Sequence, residues 1–240
     1  MPDEPALLAR GPWRPDDVEV HWSDVHYDAP PARVEAADAA IAALRDRGSP
    51  SHDGLAARLV SHSERNGKLT LHLQPTRWAL RLVEGDASLS VAALCVTRAA
   101  DGRWLAGRRA PWLSSWAGRW ALGAGGAVDV GESPVQTLTR ELDEEWSVAP
   151  ERVRCEALVR LPHRLVMLVG QAWLPAGAEV TPDDEHDAHA WWPASIDEWP
   201  PEAEVHPDHE HDAYAWWPAD VDDWPPEAGD ELRSMARALA

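Results

Sequence analysis

The fourteen residues SPVQTLTRELDEEW, at 133–146, constrain this chain more than any other stretch. Ser133 is a good N-cap, Pro134 fits the first helical position, and Val135, Leu138, Leu142 and Trp146 recur at helical spacing. The spacing predicts a helix anchored along one buried side. Strands are legible on both sides of it. SVAALCVTR and RWLAGRRA bracket the turn Asp101-Gly102, GRWAL leads into the glycine-rich AGGAVDVGE, and two further strands are expected near 152–160 and 164–174. Ahead of these, Val18–Trp22 reads as a short strand and 31–47 as a helix with Val34, Ala37, Ile41 and Leu44 on one face, predicted to cover a small sheet. Leu55–Ser61 and Lys68–Gln74 flank Asn66-Gly67, a favoured hairpin turn. The fold class is therefore α/β, with a small N-terminal α+β annex at 1–85 and a main domain at 86–240. Asp230–Ala240 reads as a closing helix carrying Leu232, Met235, Ala236 and Leu239.

The charge is concentrated in one place. Of 41 acidic residues, 18 lie between 179 and 231, where there is no Lys or Arg, so the net charge of -19 belongs almost entirely to that segment. The same segment is a tandem duplication: 180–204 and 205–229 match at 18 of 25 positions, with EHDA, AWWPA and WPPEA in both copies. Two copies fall short of the three or more that a solenoid needs, so one copy is expected to complete the fold and the other to be superfluous. The Trp-Trp-Pro of each copy marks a candidate last strand, and an unpaired strand of this kind can mediate a homodimer.

An acidic surface receives no counterion-release gain from a phosphate backbone, which argues against nucleic acid as a partner. No run of 18 apolar residues is present and MPDEPALLARGPW lacks the form of a signal peptide, so a cytoplasmic protein without a membrane partner is expected. Cys95 and Cys155 lie in apolar stretches and are expected to behave as small hydrophobes.

On the predicted helix, Glu141, Glu144 and Glu145 fall within an arc of about 100° beside the apolar face. Carboxylates so close repel unless something positive offsets them, and their hard oxygens suit Mg²⁺ or Mn²⁺. Arg140, four residues before Glu144, can hold one carboxylate in place, and Gly123, Gly125 and Gly126 let backbone approach an ion. The bland alternative is a solvated helix face.

The surrounding spacing goes further. Gly126, Glu132, then Arg140, Glu141, Leu142, Glu144, Glu145, Ser147 and Val148 resemble the Nudix box throughout its 23 positions, with Ser147 in place of the late glycine. The resemblance covers roughly 88–200 and implies a Nudix-like α/β/α sandwich. It implies a Mg²⁺-dependent hydrolase that cleaves the diphosphate linkage of a nucleoside diphosphate derivative, such as a nucleotide sugar or ADP-ribose. Glu141, Glu144, Glu145 and the Gly126 carbonyl would be metal ligands, while Arg140 and Glu132 would orient them. The general base would be a box glutamate or an acidic residue in the loop before the last strand, here Glu185 or Glu210. An alternative is a non-catalytic sensor that binds a nucleotide or nucleotide sugar on the same fold, and another is an acidic interaction protein acting through its tail.

The box departs from the family at Ser147 and in WALGAGG, which looks one residue longer than usual and has no proline. An isomerase branch of the same scaffold uses a cysteine just before the box, and 111–131 contain none. Arg108 and Arg109 are candidates for a substrate phosphate, against the alternative of surface pairs with nearby acids. Trp104, Trp112, Trp116 and Trp120 could stack on a base, although core packing is the commoner role. His186, His189, His206, His209 and His211 form a candidate transition-metal cluster that duplication alone also explains.

Overall fold

The computed structural model describes residues 6–46, 53–83, 88–113, 117–161 and 164–200. In chain order these form β1 (Ala6–Trp13), β2 (Val18–Trp22), α1 (Pro31–Asp46), β3 (Leu55–Arg65), β4 (Lys68–Arg77), a 3-10 helix at Trp78–Leu82, β5 (Val91–Arg98), β6 (Trp104–Arg109), β7 (Trp120–Leu122) and β8 (Ala124–Ala127). They continue with α2 (Pro134–Trp146), β9 (Arg152–Arg160), β10 (Val166–Trp173) and β11 (His186–Trp192). The second repeat copy, with Glu210, His206, His209 and His211, lies outside the described residues, as do Trp116 and Asp230–Ala240.

The larger sheet runs β1-β9-β10-β5-β6-β11, with β7 paired to β6 and β8 to β5. Its centre is the parallel pair β5 and β10; β9 pairs with β10 antiparallel. Strands β5 and β6 meet only at Arg98 and Trp104 before they diverge, and β7 and β8 occupy the space that opens. Helix α2 packs on β5, β8 and β10 through buried Leu138, Leu142 and Trp146. Each such side chain contributes about 1.5–3 kcal/mol when fully buried. This is the mixed sheet with packed helices of the expected sandwich. No helix among the described residues is long and apolar enough to cross a membrane.

The smaller sheet, β2-β4-β3, turns at Asn66 and Gly67, both with positive φ as a two-residue hairpin requires. Its leucines 59, 69, 71 and 73 share one hydrophobic cluster with Leu105, Leu138 and Leu158 of the larger sheet and α2. The expected annex at 1–85 is therefore not walled off from the rest. Its helix also packs differently from expectation. With the apolar face of the small sheet already taken, α1 lays Ala37, Ile41 and Leu44 on Ala79, Leu80 and Val83 around the 3-10 helix, while Val34 stays exposed.

Strand β1 had no counterpart in the sequence reading. It pairs with β9 at the margin of the sheet, where Pro12 removes no needed ladder bond, and its register shifts between Arg10 and Trp13. The glycine-rich segment that follows GRWAL begins with strand β8, because β5 offers it a ladder. Both cysteines are buried free thiols whose pKa burial pushes up to about 12.

The first repeat copy supplies the last strand, β11, antiparallel to β6. The copies differ at seven positions, and the five whose side chains are described, Thr181, Asp184, His189, Ser195 and Glu198, are all exposed. Substitutions at such places each move stability by roughly 0.5 kcal/mol or less. Deletion of 180–204 and deletion of 205–229 are therefore both expected to leave a cooperatively folded protein, as followed by circular dichroism on heating. Failure of the first deletion alone would show that the second copy cannot replace the first. Helix α2 ends on Ser147 in the left-handed region, φ 52 and ψ 40, with its N–H donating to the Asp143 carbonyl. Ser147→Gly should raise stability by about 0.5–1 kcal/mol in denaturant unfolding, since glycine adopts that conformation without strain.

Candidate active site

The site is built on the exposed flank of α2. At its N-terminus Ser133 and Gln136 form a reciprocal capping box, and at its far end the Trp146 indole N–H donates to the Gly123 carbonyl at 3.1 Å. Held at both ends and along its apolar face, the helix carries Arg140, Glu141, Glu144 and Glu145 to fixed places beside β8.

Arg140 is the hub. Its guanidinium donates to both carboxylate oxygens of Glu132, at 2.8 and 3.2 Å, to Glu141 and Glu144, each at 2.8 Å, and to the Ala127 carbonyl at 3.1 Å. Burial pushes the Glu132 pKa up, but hydrogen bonds from Arg140 and Thr137 outweigh it and hold the group below the usual carboxylate range. Glu141 goes the other way, because burial dominates over Arg140. Gly126 passes so close to Glu141 that a Cβ there would meet the carboxylate, which would have to move aside.

Glu145 is 5 % exposed. One oxygen accepts the Gly125 N–H at 2.9 Å and the other lies 3.7 Å from His186 Nε2. Burial, with the neighbouring charges of Glu141, Glu185 and Asp183, pushes its pKa up to about 9 despite the Gly125 hydrogen bond. His186 is packed on Trp146, ring centroids 4.5 Å apart, and its Nδ1 faces Asp183 at 3.3 Å; burial lowers its pKa. Asp183 and Thr181 donate backbone N–H groups to the carbonyls of Glu145 and Trp146, which ties the loop before β11 to the end of α2. This loop carries Glu185 into the same cleft, where Arg109 reaches it at 3.4 Å.

The cleft measures about 680 Å³ and is lined by Arg109, Gly125, Gly126, Glu141, Glu144, Glu145, Asp183 and Glu185. That is within the range of small-molecule sites. On another side it is closed by Trp78 and Arg81 and by Ala40, Ala43 and Leu44 of α1. Arg108, pointing the other way along β6, pairs with Asp187 at 2.7 Å and does not line the cleft. Trp104 packs against Arg98 and Trp199, Trp120 against Trp192, and Trp112 is 51 % exposed; none of the three lines the cleft. Arg81, Trp78 and Asp183 were missed in the sequence, since nothing local marks residues that meet only through the tertiary fold.

As placed, no three His, Cys, Asp or Glu side chains among the described residues gather closely enough to hold an ion. The carboxylates expected to converge are divided, Glu141 and Glu144 turning to Arg140 and Glu145 to Gly125. The donor chemistry nevertheless fits a hard divalent cation: all the side-chain donors are carboxylate oxygens, Gly126 leaves room for its carbonyl, and Glu145 is a buried acid among like charges. Of the five histidines of the candidate cluster, the two described ones, His186 and His189, both pack on Trp146.

Glu145 binds its proton more tightly in the folded chain than its ordinary pKa of 4.5 allows. Stability from this group is complete below that value and is lost as the pH rises toward about 9. In metal-free buffer, the unfolding free energy should therefore decline between pH 5 and 9 by at most ~1.4 kcal/mol per pH unit. Glu145→Gln should flatten that decline in thermal unfolding across the range; an unchanged slope would contradict a buried, protonated Glu145.

The NUDIX domain profile matches residues 88–236. No curated protein matches the sequence. Solved structures that resemble it include a MutT protein from Methanosarcina mazei Go1, with 23 % identity over 42 % of this chain and 75 % of that one and a TM-score of 0.36. Another is the NUDIX domain of Shewanella oneidensis NrtR complexed with ADP ribose, with 22 % identity over 46 % and 77 % and a TM-score of 0.38. A third is a C. elegans Ap4A hydrolase, with 22 % identity over 42 % and 77 % and a TM-score of 0.35. Since the profile spans well over half of its length and includes the Arg140-centred helix and the loop to β11, the chain belongs to the NUDIX domain family of hydrolases acting on acid anhydrides.

Proposed function

We propose that the protein is a Mg²⁺-dependent pyrophosphohydrolase that cleaves the diphosphate linkage of a nucleoside diphosphate derivative, with Mn²⁺ as a substitute ion. The observation that carries this reading is the buried Glu145 beside the Arg140-held carboxylates at the edge of a cleft of about 680 Å³. Glu141, Glu144, Glu145 and the Gly126 carbonyl would hold the ion. When bound, Mg²⁺ offsets negative charge on the diphosphate and makes an attacking water more acidic.

The chain's own residues do the rest. Arg140, itself held by Glu132, keeps Glu141 and Glu144 at the edge of the cleft, from where they would turn to the ion. Glu145 is one described candidate to take a proton from water, a role it fills only after losing the proton that burial holds on it in the metal-free chain. Glu185 is the other described candidate for that role, held by Arg109 on the far side of the cleft. Of residues 1–85, α1 and the 3-10 helix act as a cleft wall in this reading, and residues 86–240 carry the chemistry.

Product chromatography over ADP-ribose, UDP-glucose, NADH, dinucleoside polyphosphates and nucleoside triphosphates tests the proposal. The expected outcome with Mg²⁺ is release of a nucleoside monophosphate from one substrate class, suppressed by chelation. Glu145→Gln should lower kcat by about 10²-fold or more, as loss of a general base does, and Glu185→Gln by less if Glu145 is that base. Turnover that ignores Glu145→Gln would sink the assignment, and ligand binding without any turnover would favour a sensor on the same fold.

A further inference from the structure

The cleft's guanidinium groups are not equivalent. Arg140 is saturated by Glu132, Glu141, Glu144 and the Ala127 carbonyl, and Arg109 leans on Glu185. Arg81 lines the same cleft and has neither a hydrogen bond nor an ion pair among the described residues. Among the described residues its guanidinium lies over the Trp78 ring, 5.4 Å from the centroid. Burial lowers its pKa, and the negative charge of Glu141 opposes that shift.

The position of Arg81 is prepared by the fold. Asp53 accepts the Ala79 backbone N–H at 3.1 Å and pairs with Arg77, which also reaches Asp38 of α1. Those contacts fix the start of the 3-10 helix, and buried Ala79 and Leu80 anchor it against α1. A half-buried guanidinium held on a rigid turn, with no acid paired to it among the described residues, is costly to keep unless something negative meets it. Five N–H donors in a planar fork match the paired oxygens of a phosphate better than they match any neutral group.

We propose that Arg81 is a substrate-binding residue, gripping the diphosphate from the N-terminal wall of the cleft opposite the carboxylates of α2, with Trp78 positioning its guanidinium. The proposal rests on reading the cleft as a diphosphate site. It puts the substrate between two segments of the chain about sixty residues apart, one presenting a cation and the other its carboxylates. Residues 1–85 thereby contribute to recognition as well as to packing.

The test uses the full chain, with α,β-methylene-ADP as a diphosphate that resists hydrolysis, titrated calorimetrically in Mg²⁺. Arg81→Met, which keeps the apolar stem, should weaken binding about 10-fold or more, the low end for a hydrogen bond to a charged group. Arg81→Lys should weaken it by about 3-fold or more, since it keeps the charge but not the fork. Arg154→Met, at an exposed side chain of β9 paired with Glu156 and away from the cleft, should leave affinity unchanged. For whichever substrate is turned over, the Arg81 variants should raise KM with a smaller effect on kcat. Trp78→Leu should also raise KM, less than Arg81→Met does.

If the Met variant does not fold, the Lys variant decides. Affinity and KM within twofold of wild type in every folded Arg81 variant would overturn the proposal, as would absence of probe binding by the wild type. Arg81-dependent binding with no turnover of any substrate would leave this subsite standing while the hydrolase reading falls. Glu145-dependent turnover with indifferent Arg81 variants would do the reverse.

Discussion

The burial of Glu145 is the constraint on which the rest of the site depends. It occupies the last turn of α2, where the helix's own carbonyls already make the surroundings negative. The same turn carries Trp146, whose burial against β6, Gly123 and His186 pulls the carboxylate inward with it. A residue in that place cannot be solvated as an ordinary surface acid is. It must keep a proton, find donors or meet a cation, and in the chain itself it has one backbone N–H and a histidine at 3.7 Å. That shortage is the strongest physical reason to expect a divalent ion at this end of the cleft.

Arg140 meets the same difficulty for the other acids. By drawing Glu132, Glu141 and Glu144 around one guanidinium, it lets the loop before α2 and the helix surface keep three carboxylates together. It also divides them from Glu145, which is why the side chains do not gather around a single point. The last loop completes the arrangement from the far side. Backbone donors at Thr181 and Asp183 occupy the end carbonyls of α2, so the position of Glu185 depends on the helix that carries the other acids. Helix end, loop and β11 are mechanically one unit.

What the sequence disclosed follows from the range of the interactions concerned. Helix α2 was legible because its cap, proline, apolar period and acids are all within fourteen residues, and the hairpin at Asn66-Gly67 because positive φ at two adjacent positions selects those residues. Strand β1 was not, since Pro12 argues against a strand until its place at the sheet margin is known. The face of α1 was legible but its partner was not: periodicity tells which side is buried and says nothing about what covers it. Arg108 and Arg109 looked alike as neighbours, yet alternation along β6 sends only Arg109 into the cleft. Arg81 carries no local mark at all, because its meaning comes from α2, sixty residues away in sequence.

The duplication poses a choice that side-chain chemistry alone does not decide. Asp183, Glu185, His186, Trp192 and Trp199, which tie the first copy to the helix end and to the tryptophan cluster at β6, recur unchanged as Asp208, Glu210, His211, Trp217 and Trp224. Connection length does distinguish the copies. From the end of β10 at Trp173, about 12 residues reach His186 and about 37 would be needed to reach His211. Closing the longer loop costs ~1 kcal/mol more, from the logarithmic dependence of closure entropy on length. With buried contacts matched, that difference favours the first copy as β11, the arrangement observed. The penalty is small because closure entropy grows so slowly, and the residues of the second copy come after β11 in the chain. The contacts at Glu145 and at the end of α2 are therefore made by the copy that the shorter connection favours.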